Sequence, residues 1–297
     1  MNKLPLKTRV QILDMLVEGS SMRAISRVTG VSINTVTKLL EDAGTYCALF
    51  HHGMVRNVQA KRVQCDEIWS FCYAKNKNVP AAKAAPAAAG DVWTWTAIEA
   101  QSKLIISYLV GNRDGECAMS LMDDLRQRIT NKVQLTTDGH KAYLEAVEGA
   151  FGVDVDYAQL IKLYGASPES MKGKYSPAEC IGIRKEKIEG NPDLDHVSTS
   201  YVERQNLSMR MGMRRFTRLT NAFSKKLANH HHALSLYFVH YNWMRIHTTL
   251  RVSPAMEAKI ASRLWSWEDI IVLMDKAERE ETLAARQAML EPSPQSN

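Results

Sequence analysis

The chain has 297 residues, with 38 lysines and arginines against 32 aspartates and glutamates and a net charge of +6. Its 45% hydrophobic and 24% charged residues are ordinary for a soluble globular protein and exclude a chain that is disordered throughout. The length predicts two domains, one small and one large. The moderate positive charge is compatible with a nucleic-acid partner and does not by itself require one.

The five cysteines are odd in number and form no Cys-x-x-Cys pair, which argues against a disulfide framework or a cysteine-rich zinc site. The opening segment MNKLPLKTRVQ lacks the apolar stretch of a signal peptide. No run approaches the roughly 18 apolar residues of a membrane span. These features predict a cytoplasmic protein with no membrane partner.

The first part of the chain has the apolar spacing of three consecutive helices. An apolar stripe over residues 10–17 marks the first helix, and a second short helix follows over residues 22–28. Gly30 lies in the next turn, where a steep helix crossing favours a residue free to take a positive φ. Ser32 is in the N-cap position of a third helix, which is predicted to end at Gly44.

This pattern predicts a helix-turn-helix DNA-binding domain over residues 1–45, followed by an irregular linker over 46–60. Arg9, Arg23 and Arg27 add charge for contacts with the DNA backbone. The third helix is expected to reach base edges and phosphates from its N-terminal half, through Ser32, Asn34, Thr35 and Lys38. The alternative is a three-helix bundle that binds protein or no partner.

From Arg62 onward the sequence alternates between strand-like and helical segments. Three strands, a helix, a strand, a short helix and another strand are predicted between residues 63 and 165, followed by irregular sequence over 165–200. Residues 201–239 are predicted to be helical, and a last helix starts near Trp267. This order is typical of an α/β, RNase H-like mixed sheet with flanking helices over residues 61–260. Residues 261–297 are predicted to form a C-terminal helix and a disordered tail.

Three acidic residues stand out by their positions. Asp66 lies within an otherwise apolar strand, Asp138 ends the strand over residues 133–139, and Glu203 lies at the start of a predicted helix. An inward carboxylate is costly unless it is paired or bound to metal, and strand ends of α/β enzymes commonly hold functional groups. We therefore predict that these three residues are catalytic and bind metal.

Other interpretations stay open at each position. Alternation along the strand turns either Asp66 or Glu67 inward, and Asp91 is a more distant candidate. Asp138 is also placed to cap the following helix, and Glu203 to pair with an arginine on the surface.

Two aspartates and one glutamate form an all-oxygen ligand set that favours Mg²⁺ or Mn²⁺ over zinc. Phosphodiester cleavage uses such a set with two ions: one activates the attacking water or 3′-hydroxyl, and the other stabilises the leaving oxygen. Arg210 lies seven residues after Glu203, two helical turns along the same face. It is expected to hold a DNA phosphate there.

The three acidic residues lie in the segments CDEIWSF, TTDGHKAY and YVERQNLSMRMGMRRFTRLTNAFSKK. These segments resemble the three catalytic blocks of bacterial transposases of the insertion-sequence-one type, which belong to the Asp-Asp-Glu group. The later segment HYNWMRIHTTLRVSPAMEA is similar to the one that closes the catalytic domain in such proteins. The resemblance runs from about residue 60 to 260.

The resemblance implies an RNase H-like fold, two Mg²⁺ ions, and cutting and joining of DNA at element ends. By motif matching, Asp66, Asp138 and Glu203 are the implied metal ligands, and Arg210 takes the place of the family's basic residue. Many relatives carry an N-terminal cysteine-rich zinc module. This chain has none, so recognition of DNA ends would rest on its helix-turn-helix.

A cationic strip follows Glu203. Beside a DNA-cleaving site this strip is expected to contact phosphates, although the same pattern is typical of a solvated helix face. Its members are Arg214, Arg215, Arg218, Lys225 and Lys226. The run His230–His232 is expected to have a structural or phosphate-contacting role, because consecutive helical side chains point about 100° apart and cannot all face one ion.

The leading hypothesis is a DNA transposase that acts on the terminal inverted repeats of its element and on target DNA. Because two element ends must be held together, it is expected to work as a homo-oligomer in a synaptic complex. One alternative is a helix-turn-helix transcription regulator, in which the three acidic residues are dispensable. Another is a nuclease or resolvase on the same fold that cuts DNA without joining it.

Overall fold

A computed structural model of the chain describes residues 3–165, 180–217 and 221–290, with side chains as far as residue 283. At its centre lies a six-stranded sheet with the strand order β3-β2-β1-β4-β5-β6. The strands are β1 (Arg62–Cys72), β2 (Gly90–Glu99), β3 (Ile105–Gly111), β4 (Val133–Asp138), β5 (Val155–Tyr164) and β6 (Cys180–Glu189).

The sheet is mixed in direction. β1, β2 and β3 form an antiparallel meander, whereas β4 runs parallel to β1 and β5 runs parallel to β4. This order and direction are consistent with the predicted RNase H-like sheet. The sixth strand, β6, pairs antiparallel with β5, so the prediction of irregular sequence over 165–200 is wrong for residues 180–189. β6 is exposed along its length, so no buried face imposes an apolar alternation by which the sequence would reveal it.

Helices cover the sheet on both faces. The helices that the structure describes are α1 (Leu6–Val17), α2 (Met22–Thr29), α3 (Ile33–Met54), α4 (Gly115–Arg128), α5 (Ala142–Phe151), α6 (Ser200–Gly212), α7 (Leu227–Val239), α8 (Pro254–Glu257) and α9 (Trp267–Leu290). Helices α4 and α5 pack on one face through a cluster that contains Leu121 and Tyr143. Helices α6 and α7 pack on the other face, where Val202 and Phe238 belong to one buried cluster with Ile68 of β1.

The three N-terminal helices have the turn chemistry that the sequence predicts. Gly30 ends α2 with a left-handed φ of 71°, which is the conformation that favours glycine. The Ser21 hydroxyl accepts a hydrogen bond from the Ala24 amide at the start of α2, and the Ser32 hydroxyl accepts one from the Asn34 amide at the start of α3. These bonds satisfy backbone donors that helix ends otherwise leave unpaired.

The predicted linker over 46–60 differs from the structure, because α3 continues as a helix to Met54. Gly44 is therefore inside the helix. A β-carbon at Gly44 would lie 2.6 Å from the Cα of His232, so this glycine permits a close crossing of α3 and α7. Farther along α3, Phe50 packs edge-on against Trp243. The apolar surface of α3 thus continues into the main body, and no irregular segment separates the two over 46–54.

The C-terminal helix is present as predicted and returns to the N-terminal helices. Asp275 of α9 accepts two hydrogen bonds from the Arg9 guanidinium of α1, at 2.8 and 2.7 Å. Arg9 is buried by this contact, so the expectation that it contributes charge for the DNA backbone is wrong. Arg23 and Arg27 are exposed. The predicted disordered tail, residues 291–297, lies outside the described residues.

The helical stretch predicted over residues 201–239 is two helices. Between α6 and α7, the described residues form a short 3₁₀ turn, Arg214–Phe216, and an isolated bridge from Ser224 to Cys72 of β1. Residues 218–220 lie outside the described part. Across the helices that the structure describes, none has the length and hydrophobicity needed to cross a lipid bilayer.

Candidate active site

The acidic site forms where β1 and β4 lie side by side. Their parallel pairing runs as far as Cys65 opposite Thr137, so the next residue of each strand is Asp66 and Asp138. Carboxylate oxygens of Asp66, Glu67 and Asp138 lie within 4.8 Å of one another. In the described part of the chain, this is the one group of three or more histidine, cysteine or acidic side chains with such spacing. Carboxylates at this spacing suit Mg²⁺ or Mn²⁺.

Helix α6 is fixed to β1 beside this group. The buried side-chain oxygen of Gln64 accepts hydrogen bonds from the backbone amides of Tyr201 and Val202, at 2.8 and 3.2 Å. It thereby caps the first turn of α6. One turn later, the side-chain amide of Asn206 donates to Oδ2 of Asp66 at 2.8 Å. These contacts fix the position of α6 relative to β1 beside Asp66.

Glu203 lies one turn before Asn206 on α6, outside the group of three carboxylates. Its carboxylate accepts a hydrogen bond from Nζ of Lys162 at 2.6 Å and another from the Thr199 hydroxyl. Its negative charge contributes to raising the pKa of Asp66. The structure thus brings Asp66 and Asp138 together and places Glu203 close enough to act on Asp66 electrostatically, with a lysine as its present partner.

Asp66 is the carboxylate with the most perturbed ionisation. Burial raises the pKa of Asp66 to about 7, and the nearby charges of Glu67 and Asp138 act in the same direction. A cation bound at this point would offset that repulsion, because an opposite charge favours the ionised form. Strongly perturbed carboxylates at the edge of a site are typical of functional groups.

Glu67, the alternative to Asp66 left open by the sequence, is the more deeply buried of the two. Its side chain is 1% exposed. Nε of Arg113 donates to one of its oxygens at 2.5 Å, and the Tyr143 hydroxyl donates to the other at 3.1 Å. Burial and the charge of Asp138 raise the pKa of Glu67, while Arg113 opposes this. Glu67 therefore belongs to the cluster but already has two hydrogen-bonding partners.

Asp138 lies in the turn before α5 and does not cap it, because the N-cap is Lys141 and has no side-chain cap hydrogen bond; the helix-cap alternative is therefore wrong. Oδ1 of Asp138 accepts a hydrogen bond from the backbone amide of His140 at 2.9 Å, in the turn that leads into α5. Its Oδ2 lies 3.8 Å from Nη2 of Arg113. The turn orients the carboxylate while Oδ2 keeps no hydrogen bond in the described structure. A structural role and a metal-binding role are thus compatible at this residue.

Asp91, the distant candidate, has a local role. Its carboxylate accepts from the Asn76 amide at 3.1 Å, and its own amide donates to the Asn76 side chain at 2.8 Å. This reciprocal pair closes the Ala-rich loop over residues 81–90. It accounts for Asp91 without a metal.

The candidate DNA-contacting residues lie in two parts of the fold. The four on α3, Ser32, Asn34, Thr35 and Lys38, are exposed. Lys38 pairs with Asp42 on the next turn at 2.9 Å.

On the other side, Arg210 lies half-buried in the last turn of α6 and Arg214 is exposed. Arg215 donates to the buried Ser224 hydroxyl at 3.3 Å, and burial lowers the pKa of Arg215 to about 10. Arg218 lies outside the described residues. A cleft of about 1290 Å³ separates this segment from α1–α3, and Arg214, Lys225 and Lys226 line it.

The consecutive histidines of α7 have different surroundings, as expected for neighbouring positions on a helix. The His230 ring is buried between the hydroxyls of Ser70 and Ser224, at 3.4 and 3.3 Å. His232 lies at the crossing with α3. In His230, burial is the main cause of a pKa lowered to about 3. These contacts give His230 a structural role and join β1, α7 and the segment before it.

The sequence prediction missed the four side chains that hold the carboxylates in place, namely Arg113, Tyr143, Lys162 and Asn206. Each comes from a different element, and each meets its carboxylate across a long stretch of chain. Asn206 had a signal: it follows Glu203 by three positions and therefore faces the same way on a helix. The other three had none that local periodicity would reveal.

Comparisons with known proteins give structural neighbours only. The chain matches no protein-family model, and no curated protein matches its sequence. Among solved structures, it aligns with a cryo-EM structure of the piggyBac transposase synaptic complex with hairpin DNA, at 11% identity and a TM-score of 0.41, over 98% of this chain and 73% of that one.

Two structures of the Mos1 transposase also align. The paired-end complex with the left transposon end gives 13% identity and a TM-score of 0.22, over 53% of this chain and 60% of that one. The mariner paired-end complex with Mn gives 14% identity and a TM-score of 0.20, over 51% and 58%. The chain thus covers less than two thirds of either Mos1 chain. None of the three alignments is close enough to assign a role to a residue of this chain.

Proposed function

We propose that the protein is a DNA transposase of the Asp-Asp-Glu group, similar to the insertion-sequence-one type. It would cleave DNA at the ends of its element and transfer the freed strand into target DNA. The observation that carries this proposal is the meeting of Asp66 and Asp138 on neighbouring parallel strands, with Glu203 on the helix capped by the same β1. The sequence resemblance assigns catalytic roles to the same three residues.

The donor chemistry fits a hard divalent cation. Asp66 and Asp138 offer carboxylate oxygens within one 4.8 Å group, and Glu203 adds a third on α6, so these residues would hold Mg²⁺ or Mn²⁺. Two such ions, when bound, supply Lewis-acid activation of the attacking oxygen and stabilisation of the leaving oxygen.

The chain's own residues prepare the site for such an ion. Asn206 holds Oδ2 of Asp66, the His140 amide holds Oδ1 of Asp138, and Lys162 holds Glu203. The carboxylates are therefore oriented by neutral donors at two positions and by a lysine at the third. This arrangement limits the reorganisation needed when the cation enters.

DNA would contact two surfaces. The exposed N-terminal half of α3, with Ser32, Asn34, Thr35 and Lys38, is proposed to read the terminal inverted repeats. On the catalytic side, Arg210, Arg214, Arg215 and Arg218 are proposed to contact phosphates. Arg214, which is exposed, is the best placed of those described. The protein would work as a homo-oligomer that holds two element ends. It would act in the bacterial cytoplasm, at the nucleoid.

The test is the substitution Asp66→Asn in the full chain. We expect metal-dependent cleavage of element-end DNA to fall by about 10³-fold or more, because a ligand to the ion is lost, while DNA affinity stays within about 3-fold of the wild type. Cleavage is followed on gels with Mg²⁺ or Mn²⁺, and binding by mobility shift. Full cleavage by Asp66→Asn, or the absence of any divalent-ion dependence in the wild type, would reject the assignment.

A further inference from the structure

Among the described residues, Arg113 is the basic side chain that lies within 4 Å of two carboxylates of the acidic group. It follows β3, and its Nε donates to Oε1 of Glu67 at 2.5 Å. Its Nη2 lies 3.8 Å from Oδ2 of Asp138. On a third side, the guanidinium carbon lies 5.0 Å from the centre of the Trp93 ring. The side chain is nevertheless 41% exposed.

These contacts hold the guanidinium in place without using most of its donors. Arginine presents five N–H groups in a rigid planar fork, and within the described structure the only hydrogen bond at this guanidinium comes from Nε. The terminal Nη2 lies beside Asp138, one of the proposed metal ligands. Trp93 provides a flat support of the kind on which arginine stacks.

If the side chain of Arg113 reached only as far as Glu67, a buried ion pair would fully explain it. Here, however, Glu67 also receives the Tyr143 hydroxyl, and Arg113 extends past Glu67 to the solvent-accessible edge of the site. A planar fork at that position matches the geometry of a phosphate group, which arginine binds through paired N–H donors.

We propose that Arg113 is a catalytic residue that binds a non-bridging oxygen of the DNA phosphate under attack, with Glu67 as the residue that positions it. This rests on the proposed function, since it assumes that the phosphodiester lies beside Asp66 and Asp138. A fixed guanidinium aimed at developing negative charge stabilises the transition state without reorganising.

The charge-neutral pair Glu67→Gln and Arg113→Met separates this role from a purely structural one. Arg113→Met alone leaves Glu67 buried without its cation, so we expect a lower melting temperature together with a loss of Mn²⁺-dependent plasmid nicking of about 10²–10³-fold. The double variant E67Q/R113M is expected to recover the melting temperature and not the nicking. Glu67→Gln alone is the reference for the double variant: its side-chain oxygen still accepts from Arg113, so we expect only a partial loss of nicking, up to about 10-fold, from the weaker positioning of the guanidinium.

A binding measurement gives a second readout. With Ca²⁺ in place of Mn²⁺, the slope of log affinity for a short duplex against log salt should be smaller by about 1 in E67Q/R113M than in E67Q, because one phosphate contact is lost. Nicking by the double variant at the level of E67Q, or an unchanged salt slope, would overturn the proposal. Failure of the proposed function looks different: wild-type nicking would then not depend on Mn²⁺ or on Asp66, while the salt slope would still test Arg113.

Discussion

The two faces of the sheet at β1 hold neighbouring carboxylates in opposite states. Toward α5, Glu67 is buried and bonded to both Arg113 and Tyr143. Toward α6, Asp66 has one neutral side-chain donor, Asn206, and a pKa raised to about 7, chiefly by burial. This difference indicates which of the two carboxylates is available to bind a cation. Glu67 is already paired with the Arg113 guanidinium. Ionisation of Asp66, in contrast, costs free energy that a bound cation would offset.

The largest expected effect is on catalysis, and it contrasts the two neighbours directly. Asp66→Asn should lower single-turnover cleavage by about 10³-fold or more, and Glu67→Gln by no more than about 10-fold. Both changes replace a carboxylate by an amide of the same shape, so each is a control for the other. Equal losses in the two variants would show that the faces of β1 do not differ in the way described.

The two variants should also differ in how much they change the stability of the fold. The folded pKa of Asp66, about 7, lies above its ordinary value, so the folded chain holds this proton more tightly than the unfolded chain. Ionisation of Asp66 therefore destabilises the fold as pH rises from about 4 to about 7. Without divalent ions, Asp66→Asn should stabilise the protein by about 2–4 kcal/mol near pH 8 and by progressively less toward pH 4.

Chemical denaturation at several pH values, with a chelator present, measures this difference. Glu67→Gln is the comparison: the pKa of Glu67 is also raised, but the bond to Arg113 opposes that shift, so we expect a smaller change in stability than for Asp66→Asn. If Asp66→Asn lowered the free energy of unfolding at high pH, ionisation of Asp66 would not destabilise the fold, and this interpretation would be wrong.

A smaller effect is expected from the residue that orients Asp66. Asn206→Ala removes the donor to Oδ2 and should weaken Mn²⁺ binding by about 10–100-fold, the usual effect of losing a partner of a metal ligand. Titration calorimetry measures the affinity. Leu207→Ala, an exposed position on the same helix, is the control and should bind Mn²⁺ as the wild type does. A lower melting temperature with unchanged Mn²⁺ affinity would assign Asn206 a structural role only.

Much of the sheet could be predicted, because buried strands have a recognisable apolar sequence pattern. The apolar strand around Asp66 and the short strand that ends at Asp138 need neighbours on both faces, and their order along the chain suffices to suggest the mixed sheet. The predictions failed where packing overrides local pattern. Gly44 looks like a helix end, yet it permits a helix crossing against His232. β6 has no buried face to give it a period.

The acidic site was predictable as a set of residue types and not as a network. Asp66, Asp138 and Glu203 are recognisable by position, and Glu67 by its place beside Asp66. The partners Arg113 and Lys162 are ordinary basic residues in the sequence. Their roles depend on contacts across 46 and 41 positions of chain, which no local pattern encodes.

The central claim is that Asp66 and Asp138 hold a divalent cation. The most direct test is an anomalous difference map from a crystal of the full chain soaked in Mn²⁺. We predict a peak in contact with one oxygen of each aspartate, at about 2.1–2.3 Å, and a shift of Glu203 from Lys162 toward it. Ordered carboxylates with no peak between them at saturating Mn²⁺ would contradict the account, as would a peak located only at the histidines of α7.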